Sequence, residues 1–241
     1  FPAGGRFDTV VVGGGLTGLA TAVMLARAGR SVAVLEARSI GDVTTGRSTG
    51  KVSLLQGAVM SGIRRSHSEE VLRAYANGNR EAQDWLLGFL GERGVPVERR
   101  DAITYATTPE GEARLEAEIE AAHVAGLDVE RETETDLPFD VRSAIRLADQ
   151  AQIDPIAALR ALAAEARSRG VRIVECARVT DVHPGEPTTV VTARGEIAAQ
   201  HVILATGIPF LDRGMYFAKV QPSRSYVQAF RTAEPLPTGM Y

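Results

Sequence analysis

The stretch VVVGGGLTGLATAVMLARAGRSVAVLE, residues 10–36, decides the fold class. It holds two short runs of mostly β-branched residues, 10–12 and 32–35, which are typical of strands buried on both faces of a parallel sheet. Residues 16–28, between them, have the composition of a helix with one apolar face, and Gly29 is suited to end it. Parallel strands require such a crossover connection. The stretch therefore predicts a βαβ unit.

Glycines follow the pattern Gly13-x-Gly15-x-x-Gly18 between the first strand and the helix. In a dinucleotide-binding turn the first glycine allows the tight turn, the second lets the backbone approach a pyrophosphate, and the third lets helix and strand pack closely. The backbone amides near Leu16 and Thr17 then face the phosphates at the positive end of the helix. This pattern predicts a phosphate-binding loop.

An acidic residue, Glu36, ends the second strand 18 positions after Gly18 (36 − 18). This is close to the spacing of ~20 expected for a carboxylate that binds a ribose diol. A carboxylate would repel a 2′-phosphate. The sequence thus predicts a bound dinucleotide, although the motif alone leaves NAD and FAD open. A tight turn without a ligand is the alternative, and it gives Glu36 no role.

Two further segments favour FAD over NAD. The loop IGDVTTGRSTGKVS, residues 40–53, is rich in glycine and hydroxyl residues. Such a loop can offer backbone N–H and hydroxyl donors to a diphosphate and to the polar edge of a flavin ring. Downstream, VILATG, residues 202–207, ends a buried strand in small residues that permit another close approach.

With these elements the chain resembles the FAD-dependent oxidoreductases of the D-amino-acid oxidase and glycine oxidase group. The resemblance covers the N-terminal βαβ unit with Glu36, the loop at residues 44–50, the segment DPIAALRALAAEARSRGVRIVE, and the turn at residues 205–207. It implies an α/β fold in which a Rossmann-like FAD-binding domain, with a parallel sheet and a β-meander, is interrupted by a mixed α+β substrate domain. We expect residues 1–83 and 142–212 to form the FAD-binding domain, and residues 84–141 and 213–241 part of the substrate domain.

The motifs and the resemblance together give a set of candidate FAD-binding residues. They are Gly13, Gly15, Leu16, Thr17, Gly18, Glu36, Ala37, Arg38, Thr44, Thr45, Arg47, Ser48, Thr49, Gly50, Lys51, Val179, Ala205, Thr206 and Gly207. The resemblance implies that backbone groups of Val179 meet the adenine. It also places Arg38 near the adenosine, with a solvated surface arginine as the alternative. Positive charge on Arg47 and Lys51 could stabilise an anionic reduced flavin.

The resemblance implies hydride transfer from a small amine, amino acid or similar substrate to flavin N5. Oxygen, or a Rieske or other redox domain outside this chain, would accept the electrons. The loop at residues 44–57 looks closest to a branch in which a Rieske domain follows. The catalytic residues stay unassigned. Tyr105 and Tyr226, expected on strands that could face the flavin ring, are better explained as packing aromatics. A nicotinamide-dependent reductase and a non-catalytic nucleotide-binding or assembly module are the alternatives.

The family completes its flavin site with a late strand and a glycine-rich turn, and nothing after Gly207 matches them. We therefore expect these 241 residues alone to bind FAD weakly, and to be inactive as an oxidoreductase. The net charge of −3 argues against a nucleic-acid binder, and no apolar run approaches the ~20 residues that cross a membrane. A single cysteine, Cys176, is predicted to be buried in a strand, and it excludes a cysteine-ligated cluster within these residues. The histidines show no metal-ligand spacing, and we predict no metal site and a cytoplasmic location.

Four local features complete the expectations. A long helix is predicted over residues 68–93, and the runs VPVERR and AITYATT are predicted as two strands. Thr108 and Pro109 should begin a helix whose acidic run, residues 110–120, forms its solvated face. The tail from Met215 is predicted as strand, turn and strand, with SYVQAF as an alternating strand.

Overall fold

The computed structural model describes residues 5–211, 213–221, 223, 225–233 and 235–241. In chain order its elements are β1 (Arg6–Val12), α1 (Leu16–Arg27), β2 (Val32–Leu35), a 3-10 turn (Thr45–Arg47), β3 (Lys51–Val52), α2 (Val59–Ser66), α3 (Glu69–Gly91), β4 (Val97–Ala106), α4 (Pro109–Val124), β5 (Glu130–Glu132), β6 (Ser143–Ile153), α5 (Pro155–Ser168), β7 (Arg172–Val174), β8 (Val179–His183), β9 (Thr188–Thr192), β10 (Gly195–Leu204) and α6 (Tyr216–Lys219). Among the described residues, no helix combines the length and the apolar character that a membrane crossing needs.

The chain divides into two compact units, each made of two segments. The first unit comprises residues 1–49 and 155–227, and the second comprises residues 50–154 and 228–241. Residues 50–83 and 142–154, which the sequence assigned to the FAD-binding domain, therefore group with the second unit. The reason is strand pairing, because Lys51 and Val52 lie opposite Gln152 and Ala151. Asp212, the predicted end of the FAD-binding domain, lies outside the described residues.

The first unit is built on a six-stranded sheet with the order β7-β2-β1-β10-β9-β8. The first four strands run parallel, and β10, β9 and β8 form an antiparallel meander. The residues of β2 and the last four of β1 are buried. Burial on both faces explains why these stretches, apart from Thr9, consist of valine, leucine and alanine rather than of alternating polar and apolar residues. The predicted α/β class, with a parallel sheet and a meander, is confirmed.

The second unit holds a four-stranded antiparallel sheet in which β6 pairs with β3, β4 and β5. Residues from β4, β6, α2, α3 and α4 share one apolar core, with Leu72, Leu115 and Ile145 among its members. Helix α3 begins where predicted, since the Ser68 hydroxyl accepts a hydrogen bond from the Val71 N–H. The Thr108 hydroxyl caps α4 in the same way through the Gly111 N–H. VPVERR and AITYATT, predicted as two strands, belong largely to one strand, β4, with a register shift between Arg100 and Ala102.

Three local predictions are wrong. Cys176 is exposed, because it lies in a left-handed turn (φ 53°) after β7 rather than inside a strand. Glu118, in the acidic run of α4, is fully buried and faces the core instead of the solvent. The described part of the tail contains α6 and no strand, and Tyr226 is 89% exposed. SYVQAF has the alternation of a strand, but no strand of the described residues pairs with it, and an unpaired strand is not stable in water.

Candidate cofactor site

The glycine turn after β1 is packed too tightly for side chains at two positions. Gly13 has a positive φ of 114°, and a Cβ there would lie 2.4 Å from the carbonyl oxygen of Ala205. A Cβ on Gly18 would lie 1.9 Å from the carbonyl oxygen of Gly13. Gly15 differs, since its Cβ would meet only the Thr45 hydroxyl, at 3.3 Å. Two glycines therefore hold the turn together, and the third leaves room above the backbone.

Helix α1 starts directly from this turn, with Gly15 as its N-cap. The cap has no side chain to accept the first amides, and the first turn of the helix has no acidic residue. The Leu16 N–H donates to the Thr45 hydroxyl at 3.2 Å, and Thr17 is exposed. The positive end of the helix dipole is therefore not neutralised from within α1, which suits an anionic ligand.

Glu36 fixes the end of β2 against the glycine turn. Its Oε2 accepts a hydrogen bond from the Gly14 N–H at 2.7 Å, and its Oε1 accepts one from the Arg38 N–H at 2.8 Å. The Glu36 carbonyl accepts a hydrogen bond from the Ala177 N–H at 2.8 Å. The carboxylate is half-buried, with Ala37 next to it. A negative charge thus lies at the carboxyl end of a parallel strand, where ligands of such sheets bind.

The late turn predicted from VILATG lies beside the same glycines. The Ala205 N–H donates to the Val12 carbonyl at 2.8 Å, which places the end of β10 next to the end of β1. The Thr206 hydroxyl donates to the Ile208 carbonyl at 2.8 Å, and Gly207 has a positive φ of 75°. Three predicted elements therefore meet at one edge of the sheet: the glycine turn, Glu36 and the turn at residues 205–207.

The glycine- and hydroxyl-rich loop joins this edge through its 3-10 turn. Gly46 lies so close to Gly41 that a Cβ on it would be 1.8 Å from the Gly41 carbonyl oxygen. Thr45 contacts the first amide of α1, as described above, whereas Thr44, Ser48 and Thr49 are exposed. Arg38 and Arg47 both contact Asp42, a residue that the sequence did not single out. Asp42 is the one acidic residue in a loop otherwise suited to anions, and this could have marked it in the sequence.

Three candidates remain: Val179 in the first unit, and Gly50 and Lys51 in the second. Val179 is buried at the start of β8, two residues after the Ala177 N–H that bonds the Glu36 carbonyl. Gly50 and Lys51 belong to the second unit. The Lys51 ammonium donates to the Met240 carbonyl at 3.0 Å, and burial lowers the pKa of this ammonium.

Tyr105, on β4 of the second unit, packs against other aromatic rings. Its ring centroid lies 5.7 Å from that of Phe139 and 6.1 Å from that of Tyr241. This contact agrees with the packing role expected for it. Within the described residues, no group of three or more His, Cys, Asp or Glu side chains could hold a metal ion.

Comparison with known proteins is consistent with this site. The family model described as FAD dependent oxidoreductase (DAO) matches residues 8–240. The chain is 32% identical over 240 residues to the putative Rieske 2Fe-2S iron-sulfur protein YhfW of Bacillus subtilis, covering 97% of the chain and 47% of that protein. It is 24% identical to glycine oxidase of Bacillus licheniformis, covering 84% of the chain and 54% of that enzyme. The chain thus spans about half the length of these curated relatives.

A solved structure shares the fold. Glycine oxidase from Geobacillus kaustophilus superposes with a TM-score of 0.64 at 21% identity, covering 83% of the chain and 55% of that enzyme. A likeness at this identity supports the fold alone, whereas the family model extends over nearly the whole chain. The glycine turn, the strand-end carboxylate and this match agree, and the chain belongs to the DAO family of FAD dependent oxidoreductases.

Proposed function

We propose that this chain binds FAD and takes part in the oxidation of a small amine or amino acid. Family membership supports the cofactor and the reaction class. The substrate class is supported by the names of relatives: glycine oxidase, and the gamma-glutamylputrescine oxidoreductase of Escherichia coli, which is 29% identical over 210 residues. Because the chain spans about half of these relatives, the activity and substrate of the whole protein belong to the proposal.

One observation carries the FAD assignment. The N-terminus of α1, the Glu36 carboxylate and the turn at residues 205–207 meet where Gly13 and Gly18 leave no space for a Cβ. A diphosphate fits the positive end of α1 through backbone N–H groups. The ribose diol of the adenosine can donate to the Glu36 carboxylate. The donor set therefore fits the ADP half of FAD, and the candidate FAD-binding residues given above belong to this proposal.

When bound, FAD supplies the redox chemistry by taking a hydride from a substrate carbon. The protein supplies position and charge. Gly13, Gly18 and Glu36 fix the ADP half, and the loop around Thr45 closes over the end of α1. We assign FAD binding to the first unit and substrate binding to the second. No residue of the described chain is proposed as a catalytic acid or base.

The electron acceptor is proposed as oxygen or a Rieske domain outside this chain. The relation to a putative Rieske protein of Bacillus subtilis supports the second option. A Rieske cluster needs two cysteine and two histidine ligands, whereas this chain has one cysteine. The cluster would therefore lie outside these residues. We also propose a cytoplasmic location, which the presence of a single cysteine supports.

Ligand titration tests the proposal. The purified chain is titrated with FAD, ADP, FMN and NADH, and binding is followed by flavin fluorescence and by calorimetry. Binding of FAD and ADP without binding of FMN or NADH supports the proposed cofactor. Binding of NADH alone supports a nicotinamide reductase, and binding of none supports a non-catalytic module. The FAD-loaded protein is then mixed without oxygen with glycine, L-proline and putrescine. Loss of the oxidised flavin band with one of them identifies the substrate class, whereas an unchanged band agrees with the incomplete flavin site expected of these residues alone.

A further inference from the structure

Asp42 holds two arginines at the edge of the proposed FAD site. Its Oδ2 lies 3.4 Å from Nη1 of Arg38, and its Oδ1 lies 3.7 Å from Nη2 of Arg47. Its backbone carbonyl accepts a third contact, a hydrogen bond from Nε of Arg47 at 3.0 Å. Arg47 is therefore tied to both the backbone and the side chain of one residue.

The backbone between these residues is itself fixed. Gly46 packs against Gly41 with no room for a Cβ, and Gly41 has a positive φ of 81°. The Thr45 hydroxyl bonds the Leu16 N–H at the start of α1, two residues before Arg47 in the same 3-10 turn. Arg47 thus starts from a rigid turn that contacts the glycine turn directly.

The charge of this group suits a diphosphate. Arg47 is exposed, and its Nη1 has no hydrogen-bond partner among the described residues. An arginine presents several N–H donors in a planar fork that matches phosphate oxygens. A long side chain normally loses rotamer freedom when it binds, and a side chain that is already held loses less.

We propose that Asp42 is a positioning residue that holds Arg47 ready for the FAD diphosphate. The inference rests on the proposed FAD binding and deepens it. Asp42 does not touch the cofactor in this arrangement. It acts through Arg47, as an acidic residue that improves the binding of an anion.

This role predicts that removing a negative charge weakens the binding of an anionic ligand. Asp42→Asn makes the site more positive by one charge, so simple electrostatics predicts tighter binding of an anionic ligand. Loss of Arg47 positioning predicts weaker binding. The hydrogen bond from Nε of Arg47 to the Asp42 backbone carbonyl remains in this variant, so only the side-chain ion pair is weakened. We expect the loss of positioning to win, with ADP and FAD affinity lowered about two- to fivefold, the scale of one partly exposed ion pair.

Glu165→Gln is the matched control. Glu165 also contacts two arginines, Arg27 at 3.2 Å and Arg169 at 2.5 Å, and lies in the same unit. Its substitution changes the net charge by the same amount. Arg27 is the last residue of α1, about 16 Å along the helix from the glycine turn. We expect this variant to bind ADP as the wild type does, or slightly more tightly.

A double-mutant cycle, and a comparison of ADP with adenosine, test the contact between Asp42 and Arg47. In an Arg47→Ala background, Asp42→Asn should have little further effect on ADP affinity, because the residue it positions is gone. Adenosine, which lacks phosphates, should lose less affinity than ADP in Asp42→Asn, because only ADP presents a diphosphate to Arg47. Asp42→Glu, which keeps the charge, should recover part of the affinity.

The outcomes separate this inference from the proposed function. Wild-type protein that binds neither FAD nor ADP would overturn both. Wild-type protein that binds them, with tighter or unchanged binding by Asp42→Asn, would overturn the positioning role alone. Equal losses for ADP and adenosine would also overturn it, since the effect would then not involve the diphosphate.

Discussion

The side chain of Glu118 is fully buried, and its Oε1 accepts a hydrogen bond from the backbone N–H of Met60 at 2.9 Å. Its Oε2 accepts a second one from the Ser61 N–H at 2.8 Å. These amides begin α2, whose own N-cap, Ala58, offers no side-chain acceptor. A carboxylate from α4 therefore caps α2 from outside and is stabilised there by the helix dipole.

Glu118→Gln should destabilise the second unit. The amide keeps one acceptor but turns an N–H₂ group toward a backbone N–H, which leaves buried donors without a partner. We expect a loss of about 1–3 kcal/mol in the free energy of unfolding, measured by urea denaturation. Glu120→Gln, two residues along the same helix and exposed, should change the midpoint little. Equal midpoints for the two variants would contradict the capping role.

Substitution of Glu36 should weaken cofactor binding. Glu36→Gln keeps the shape of the side chain but removes the charge that two backbone amides meet, which is also the proposed acceptor for the ribose hydroxyls. We expect FAD and ADP affinity to fall by roughly tenfold or more, and Glu36→Arg to weaken binding further. Glu196→Gln, an exposed change in β10, is the control. Unchanged FAD affinity in Glu36→Gln, with the control also unchanged, would rule out the ribose contact.

Two glycine substitutions should have opposite effects on stability. In Gly18→Ala the new methyl group meets the Gly13 carbonyl oxygen at 1.9 Å, so the glycine turn must open. We expect a loss of about 1–3 kcal/mol or more, together with weaker ADP binding. In Gly78→Ala, inside α3, the methyl group meets nothing within 4 Å. That variant should gain about 0.5–1 kcal/mol from helix propensity, and thermal unfolding of both proteins provides the comparison.

The pH dependence of stability should carry a contribution from Lys51. Burial lowers the pKa of its ammonium in the folded chain, and unfolding returns it toward the ordinary value of 10.5. Between these two values the unfolded chain binds more protons, so the free energy of unfolding rises with pH across that window. Lys51→Met should remove this rise.

The chain has only one other lysine, Lys219, which is exposed and serves as the control. Lys219→Met should keep the wild-type pH profile in urea denaturation. A profile for Lys51→Met that parallels the wild type would show that burial does not lower the pKa as described.

The parts of the fold that the sequence predicted depend on nearby residues. The βαβ unit follows from strand and helix runs within 27 residues, and the Ser68 and Thr108 caps act on amides three positions away. The same holds for the glycine turn. Glu36 could be predicted although it lies 18 residues after Gly18, because dinucleotide-binding motifs place an acidic residue at about this spacing.

The parts that were missed depend on contacts between distant segments. The residues next to Glu118 in the sequence are those of an acidic surface helix. Its burial is favourable because it accepts a hydrogen bond from the N–H of Met60 in α2, 58 residues earlier. The boundary after residue 83 was misplaced for the same reason. The second unit begins at Gly50, because Lys51 pairs with Gln152, about 100 residues later. In the candidate site, Asp42 was overlooked because its proposed role depends on ion pairs with Arg38 and Arg47, which the sequence does not show.

The parallel pairing of β1 with β10 also constrains how the chain is made. Val11 lies opposite Ile203, so the ribosome must add 192 residues (203 − 11) after one member of the pair before the other exists. Until then β1 has β2 on one side and an open edge on the other. Such edges attract foreign strands. Nascent chains in which β10 has not yet been made are therefore the forms in which this protein most needs protection from aggregation.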